Sequence, residues 1–342
     1  MARTDKRDDS KKNVGEKKAK KRSKISDALK KGAKASSKSE STDKEAFKGV
    51  NPAEAITKRA SQLLAKPDRT FTVGSLEKAL LRQFPAEDAQ EWDRTGLTVG
   101  ERGLPVSSVA IALDPTVSAI EEAARRGADV LVTHHPLFLS APDDFEPEPS
   151  VALSSGAGVW AAIRNRIAIM SFHTTLDVSK QAQTVLPSML GLDYKGKLIE
   201  TIPTSRQKGY GQISQVPKIE GELQTLSQLA ARCLSVFGRA PRVWGSSHRR
   251  IASVVTATGS ASSLVPRLLD GIDCLICGEI RYHSALELSE AGVAIIELGH
   301  DVSELPLTAV LANTISEIGI PRESISIIDQ STNWTYPESI RL

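Results

Sequence analysis

The chain has 342 residues, 40% of them hydrophobic and 25% charged, a balance that suits one large or two ordinary domains with a buried core. No run of about 18 apolar residues occurs, which excludes a membrane-spanning helix, and three cysteines are too few for a disulfide framework. The net charge of +3 hides an asymmetry: residues 1–46 hold sixteen Lys or Arg against eight Asp or Glu, a surplus of eight positive charges that leaves the rest of the chain at −5.

Residues 1–46 lack aromatics and include Lys17-Lys18-Ala19-Lys20-Lys21-Arg22. Such a segment cannot bury enough surface to offset its ordering entropy, so a disordered basic tail is expected. It is either a plain solvated tail or a weak, salt-sensitive binder of polyanions. No apolar stretch follows it, so a secretory signal is not expected, and a reducing cytoplasm is the expected location.

From Phe71 onward the pattern alternates between helix and strand. Leu76, Leu80 and Leu81 set a helix over Val73–Phe84. Val109–Leu113 reads as a strand, Thr116–Arg126 as a helix closed by Gly127, and Asp129–Thr133 as a second strand. This order implies a parallel sheet with a right-handed crossover. Val159–Asn165 is expected to be helical and Ile167–Ser171 extended. Thr201–Thr225, rich in Gly, Pro, Ser and Gln, reads as the join between two α/β halves. Leu226–Val236 is a helix, Ile251–Thr256 a strand, Gly259-Ser260 a turn and Leu264–Leu269 a helix. Cys274–Cys277 and Val293–Leu298 are strands, with helices over Ile280–Ala291 and Leu305–Ile318. The expected fold class is therefore α/β, with residues 47–195 as the first domain and 196–342 as the second half.

Five of the six histidines fall at or just beyond the C-terminal ends of these strands, where open α/β sheets form their ligand crevice. Thr133-His134-His135-Pro136 follows one strand. Within a regular strand the two rings would point to opposite faces, but at its end, with Pro136 restricting His135, both can turn into one crevice and each can serve a different ion. His173 and Asp177 follow a second strand, and His300 and Glu304 a third. In both pairs an imidazole and a carboxylate stand four residues apart, on one side of a helical turn. That donor mix suits zinc, manganese or iron. A carboxylate can bridge two ions, and Glu304 is assigned that place. Each pair alone is equally compatible with helix capping or a surface ion pair.

A fourth strand end carries Glu279 and His283, again four apart. Either can be a ligand, but five ligands already suffice for two ions with open positions, so an acid–base or supporting role is assigned to them; a capped helix start is the plain alternative. Cys274 and Cys277 form a Cys-x-x-Cys without a second pair, and Leu275-Ile276 between them indicates a buried strand. His248, in a polar loop, is assigned no role.

These residues together resemble the Nif-three-like family, whose members are often labelled GTP cyclohydrolase 1 type 2 homologs. The resemblance spans roughly Val73 to Ile328. It rests on Glu91-Trp92-Asp93-Arg94-Thr95-Gly96-Leu97, Ala112-Leu113-Asp114, Gly127-Ala128-Asp129, Thr133-His134-His135-Pro136-Leu137 and His173-Thr174-Thr175-Leu176-Asp177. Gly209-Tyr210-Gly211, Cys277-Gly278-Glu279 with Tyr282-His283, and Gly299-His300 with Glu304 complete it. The resemblance implies two similar α/β domains with a dinuclear site in the cleft between them. It implies His134 and His135 as ligands of different ions, Asp177 and His300 as further ligands, Glu304 as the bridge, and His173 and His283 on the cavity wall. It also implies toroidal homohexamers whose sites face an inner cavity. Some members carry an extra central domain, for which the Asp177–His300 spacing leaves little room here. The sequence departs from the family at Arg94, where Asn is usual, and at Val178-Ser179-Lys180-Gln181, which stands where a Gly-Gly loop often follows.

The expected function is a dinuclear metal-dependent hydrolase acting on a nucleotide-like substrate such as GTP, with His173, His283 or Glu279 moving the proton. The alternatives are a metal-binding or metal-delivering protein, or a ring-shaped scaffold with a regulatory partner. A nucleic-acid binder would rest on the tail alone.

Overall fold

The apolar runs read from the sequence become the parallel strands of two sheets, and the ends of those strands carry the candidate ligands. The structure, a computed structural model, describes residues 71–146, 155–268 and 271–334. The basic tail lies outside the described residues.

In chain order the elements begin with β1 (Phe71–Thr72), α1 (Val73–Gln83), β2 (Gly96–Val99), β3 (Pro105–Val106), β4 (Val109–Ala112), α2 (Val117–Arg125) and β5 (Val130–Thr133). Next come α3 (Ser155–Asn165), β6 (Ala168–Ser171) and three short helical turns, α4 (Thr174–Asp177), α5 (Lys180–Gln183) and α6 (Val185–Met189). The chain continues with β7 (Asp193–Ile202), β8 (Ser205–Gln215), β9 (Gln224–Thr225), α7 (Leu226–Phe237), β10 (Arg242–Trp244), β11 (Arg250–Ile251) and β12 (Ser253–Ser260). It closes with β13 (Cys274–Glu279), α8 (Tyr282–Glu290), β14 (Ala294–Glu297), α9 (His300–Ile318) and β15 (Ile325–Ile327). Helix starts follow local chemistry: Thr72 with Ser75, and Thr225 with Gln228, form reciprocal capping boxes.

The first sheet has the order β15-β4-β5-β6-β2, with β4, β5 and β6 parallel and β2 antiparallel at the edge. The second has the order β10-β14-β13-β12-β8-β7, with β12, β13 and β14 parallel. The central strands are buried on both faces, as helix-covered parallel strands must be. Strand β15 returns to pair in parallel with β4, so the last described segment belongs to the first sheet. Helix α9 packs Leu307, Leu311, Ala312 and Ile315 into the core beneath that sheet, beside Val109, Val130 and Met170. Among the described residues no helix is long and apolar enough to cross a membrane.

Three sequence expectations need correction. The stretch Thr201–Thr225 is not a plain join: most of it belongs to the long antiparallel hairpin β7–β8 at the edge of the second sheet. Its exposed outer strand carries Lys195 and Lys197, so it shows no apolar run. The turn at Gly259-Ser260 is a register shift within β12. The helix expected at Leu264–Leu269 is a 3-10 turn over Ser262–Arg267 with Pro266 inside; residues 269–270 lie outside the described residues. Cys274 and Cys277 are buried strand residues with free thiols, as their neighbours indicate, and burial pushes both thiol pKa values up.

Candidate metal centre

The first sheet delivers its histidines at the ends of β5 and β6. Backbone pairing extends one step past β5, with His134 N–H donating to Ala112 C=O at 3.3 Å and His135 N–H to Leu113 C=O at 3.0 Å. The Thr133 hydroxyl donates to the His135 carbonyl at 2.7 Å and curls the strand end. Both rings therefore reach one crevice, with centroids 4.9 Å apart. Helix α4 starts beyond β6 with His173 at its N-cap and Asp177 in its only turn. The second sheet contributes β14, after which Gly299 opens α9 and places His300 and Glu304 on its first two turns.

Glycine makes this approach possible. At Gly259, φ is +56°, and a Cβ there would lie 2.3 Å from Glu304 Oε1. A side chain at that position would displace the carboxylate.

Glu304 is the hub. Its Oε2 lies 3.1 Å from Nε2 of both His135 and His300, and its Oε1 3.6 Å from Nε2 of His134. His134 Nε2 is also 3.7 Å from Asp177 Oδ1, which accepts from the Thr258 hydroxyl at 3.2 Å. Three triads can each surround a cation with donor atoms within 4.8 Å of one another: His134, Asp177 and Glu304; His135, His300 and Glu304; His134, His135 and His173.

The other ring nitrogen of each histidine faces an acceptor. His134 Nδ1 donates to the Phe172 carbonyl at 3.2 Å, and His135 Nδ1 to Asp114 Oδ1 at 2.7 Å. His173 Nδ1 donates to Asp93 Oδ1 at 3.1 Å, and His300 Nδ1 lies 3.1 Å from Glu279 Oε1. A carbonyl or carboxylate only accepts, so Nδ1 carries the proton and Nε2 is left with its lone pair toward the crevice. With the protons so placed, His134 Nε2 and Glu304 Oε2 are buried with no donor facing them. Such atoms are costly to bury unpaired. Divalent cations in the two Glu304 triads would satisfy both, and the imidazole–carboxylate donor set is one that borderline ions accept. The residues present therefore fit a metal.

Without a cation, protons fill the gap. Burial opposes charge on His135, but the Asp114 and Glu304 carboxylates push its pKa up to about 10. Contact with Glu304 raises His300 to about 9 against its burial, with Glu279 adding to it. Burial likewise opposes the Glu304 charge, yet His134, His135 and His300 hold it well below its ordinary value. Burial raises Asp177, helped by the nearby Glu304 charge. Asp93 is lowered: burial pulls upward, but hydrogen bonds from His173 and Thr174 outweigh it.

All five expected ligands thus converge, and His173 and Glu279 stand beside them. His283 is not brought in: it is exposed on α8, its ring edge-on to Tyr282 at 5.4 Å. Arg94 reaches away from the cluster, donating to the Leu139 carbonyl and lying over Phe138. Asp93 and Asp114 stand inside the family motifs, but nothing in the local sequence marks either for a role. A cavity of about 710 Å³ opens on the cluster, with Trp92, Tyr210, Arg267 and Arg281 among its walls.

An α/β chain whose parallel strand ends converge on a histidine–carboxylate cluster is, by fold and site, a protein able to bind metal. Residues 71–333 match the Duf34/NIF3 (NGG1p interacting factor 3) family, and the chain belongs to it. A GTP cyclohydrolase 1 type 2 homolog of Streptomyces coelicolor is 30% identical over 249 residues, 70% of this chain and 84% of its own. The GTP cyclohydrolase 1 type 2 of Helicobacter pylori is 24% identical over 236 residues, 69% of this chain and 88% of its own. The crystal structure of a Bacillus cereus protein related to NIF3 superposes with a TM-score of 0.68 at 19% identity, covering 80% of this chain and all of that one.

Proposed function

We propose that this chain binds two divalent metal ions and hydrolyses a nucleotide-like substrate, the activity carried in the name of its cyclohydrolase relatives. The observation that carries the reading is the buried, unpartnered pair His134 Nε2 and Glu304 Oε2, set among imidazoles whose other nitrogen faces an acceptor. His134, Asp177 and Glu304 would hold one ion, and His135, His300 and Glu304 the other, with Glu304 between them. When bound, such a pair supplies Lewis acidity and stabilises developing negative charge.

The remaining residues support the chemistry. His173, fixed by Asp93 through Nδ1, presents Nε2 to the crevice, where it can take or return a proton. Glu279 lies beside His300 at the cleft wall and is the second proton carrier. A cleft of about 710 Å³ falls in the range of small-molecule sites. Trp92 offers a face for a planar ring, and Arg281, with Arg267 in its 3.0 Å ion pair with Glu200, offers positive charge for phosphate. The family resemblance adds a cytoplasmic ring of six chains, each 36.8 kDa, which light scattering would weigh directly.

The test is elemental analysis of the purified protein, followed by turnover assays on GTP and related phosphoesters with zinc, manganese and iron in turn. Two ions per chain with nucleotide turnover is the expected result. Two ions with no turnover in any metal form would defeat the hydrolase reading and favour metal storage or delivery.

A further inference from the structure

The last described segment touches the candidate centre at two points, both through residues the centre does not itself contain. Strand β15 runs alongside β4 in parallel, and Ile328 N–H continues the pairing to Ile111 C=O at 2.8 Å. Two residues on, the Gln330 side chain turns inward and is 95% buried, at 5% exposure. Its Oε1 accepts from Leu113 N–H at 2.8 Å and Asp114 N–H at 2.9 Å, and its Nε2 donates to Asp114 C=O at 3.1 Å. The same stretch of backbone receives His135 N–H on the Leu113 carbonyl. One amide side chain thus fixes the main chain from which Asp114 reaches His135 Nδ1.

The second contact lies one and four residues further along. Trp334 Nε1 donates to Asp301 Oδ2 at 3.1 Å. Arg239 donates to the same oxygen at 2.8 Å, to the Ser331 carbonyl at 2.7 Å, and stacks over the Trp334 ring at 3.9 Å. Asp301 adjoins His300 on the first turn of α9. The segment therefore steadies the backbone beside His135 on the first sheet and beside His300 at the end of the second.

We infer that residues 327–334 form a positioning strap for the metal centre, in which Gln330 holds the Leu113–Asp114 backbone so that Asp114 aims the His135 ring at its ion. The inference rests on the proposed metal reading of the cluster. Its physical basis is general: a ligand ring free to rotate must be ordered when the ion binds, whereas one held by a fixed carboxylate is ordered beforehand. Gln330 touches neither ligand nor substrate, so its effect on the ion passes through Asp114.

The full chain is compared with Gln330→Ala, Gln330→Glu, Asp114→Asn and the double variant Gln330→Ala/Asp114→Asn. Zinc affinity and stoichiometry are measured by competition titration, and melting by circular dichroism in EDTA. Gln330→Ala should weaken one of the two ions by roughly 10- to 100-fold and leave the other near its wild-type affinity. Gln330→Glu keeps both acceptor contacts and should recover part of the loss. The double variant should bind no more weakly than Asp114→Asn alone, because both changes break one route. A structural role alone would lower the melting midpoint in EDTA but make the two effects on affinity additive. Additive losses, or wild-type affinity in a folded Gln330→Ala protein, overturn the inference while leaving the metal reading intact. If Gln330→Ala does not fold, Gln330→Glu and Trp334→Phe carry the test, and wild-type zinc affinity in both overturns it. A wild-type chain that binds no divalent ion sinks the metal reading and the strap together.

Discussion

Stripping divalent ions from this chain should leave a fold that weakens as pH rises from about 7 to 10. The cause is the crowding of His135 and His300 against Glu304, with Asp114 and Glu279 behind them. The folded-state pKa of His135 is pushed up to about 10 and that of His300 to about 9, against 6.5 for the free side chain. Protonation then favours the folded state. That contribution is complete below about pH 6.5 and is lost as pH climbs through 9 and 10. The His135 displacement alone, at about 1.4 kcal/mol per tenfold, sets a ceiling of about 5 kcal/mol. Charge shared with His300 and partial contact with water reduce it to roughly 2–3 kcal/mol. For a domain of this size that corresponds to a fall of about 5–10 °C in melting midpoint. The assay is thermal melting by circular dichroism in EDTA at intervals from pH 7 to 10, repeated with saturating zinc up to pH 8.5. Zinc should flatten the dependence, because the ion takes the place of the proton. Apparent zinc affinity should rise with pH over the same range. A midpoint in EDTA that is flat from pH 7 to 10, or an unchanged slope in Asp114→Asn, would refute the reasoning.

His135→Ala should lower metal content from two ions per chain to one or fewer, and an unchanged content by elemental analysis would remove His135 from the ligand set. Glu304→Gln keeps the buried volume but removes the carboxylate between both triads, so neither ion should be retained through dialysis, and a variant still holding two would show that Glu304 does not join them. Asp93→Asn loosens His173 and the Thr174 contacts; it should lower turnover by about 10- to 100-fold with both ions still bound, and full turnover would exclude His173 as the proton carrier. Removing residues 1–46 should weaken retention on heparin at low salt and leave metal content unchanged; equal retention would count against polyanion binding by the tail.

The parallel strands were legible because burial on both faces writes them as short apolar runs: Val109–Ala112, Val130–Thr133 and Cys274–Cys277 all appear in the structure within a residue or two. The hairpin β7–β8 was not legible. An edge strand with one solvated face carries Lys, Glu and Gln where a central strand carries Val or Ile, and Gly209 and Gly211 resemble a loop until the pairing is known. Strand β15, only three residues long, gives no signal that distinguishes it from a tail.

The centre divides along the same physical line. Its candidate ligands sit at or shortly beyond strand ends, so hydrophobic periodicity locates them even before a family is named. The groups that aim those ligands have no such marker. Asp114 and Asp93 stand 21 and 80 residues from the histidines they hold, and Gln330 is 216 residues from the Asp114 backbone it fixes. A local sequence window records what a strand end offers to a crevice. It cannot record which distant carboxylate or amide will meet it, because that depends on which strand the sheet places alongside. The return of β15 to β4 brings Gln330 against the Asp114 turn. The departure of Arg94 from the usual family residue fits this distinction: its guanidinium is spent on the Leu139 carbonyl and the Phe138 ring, so the change leaves the ligand set and the residues aiming it untouched.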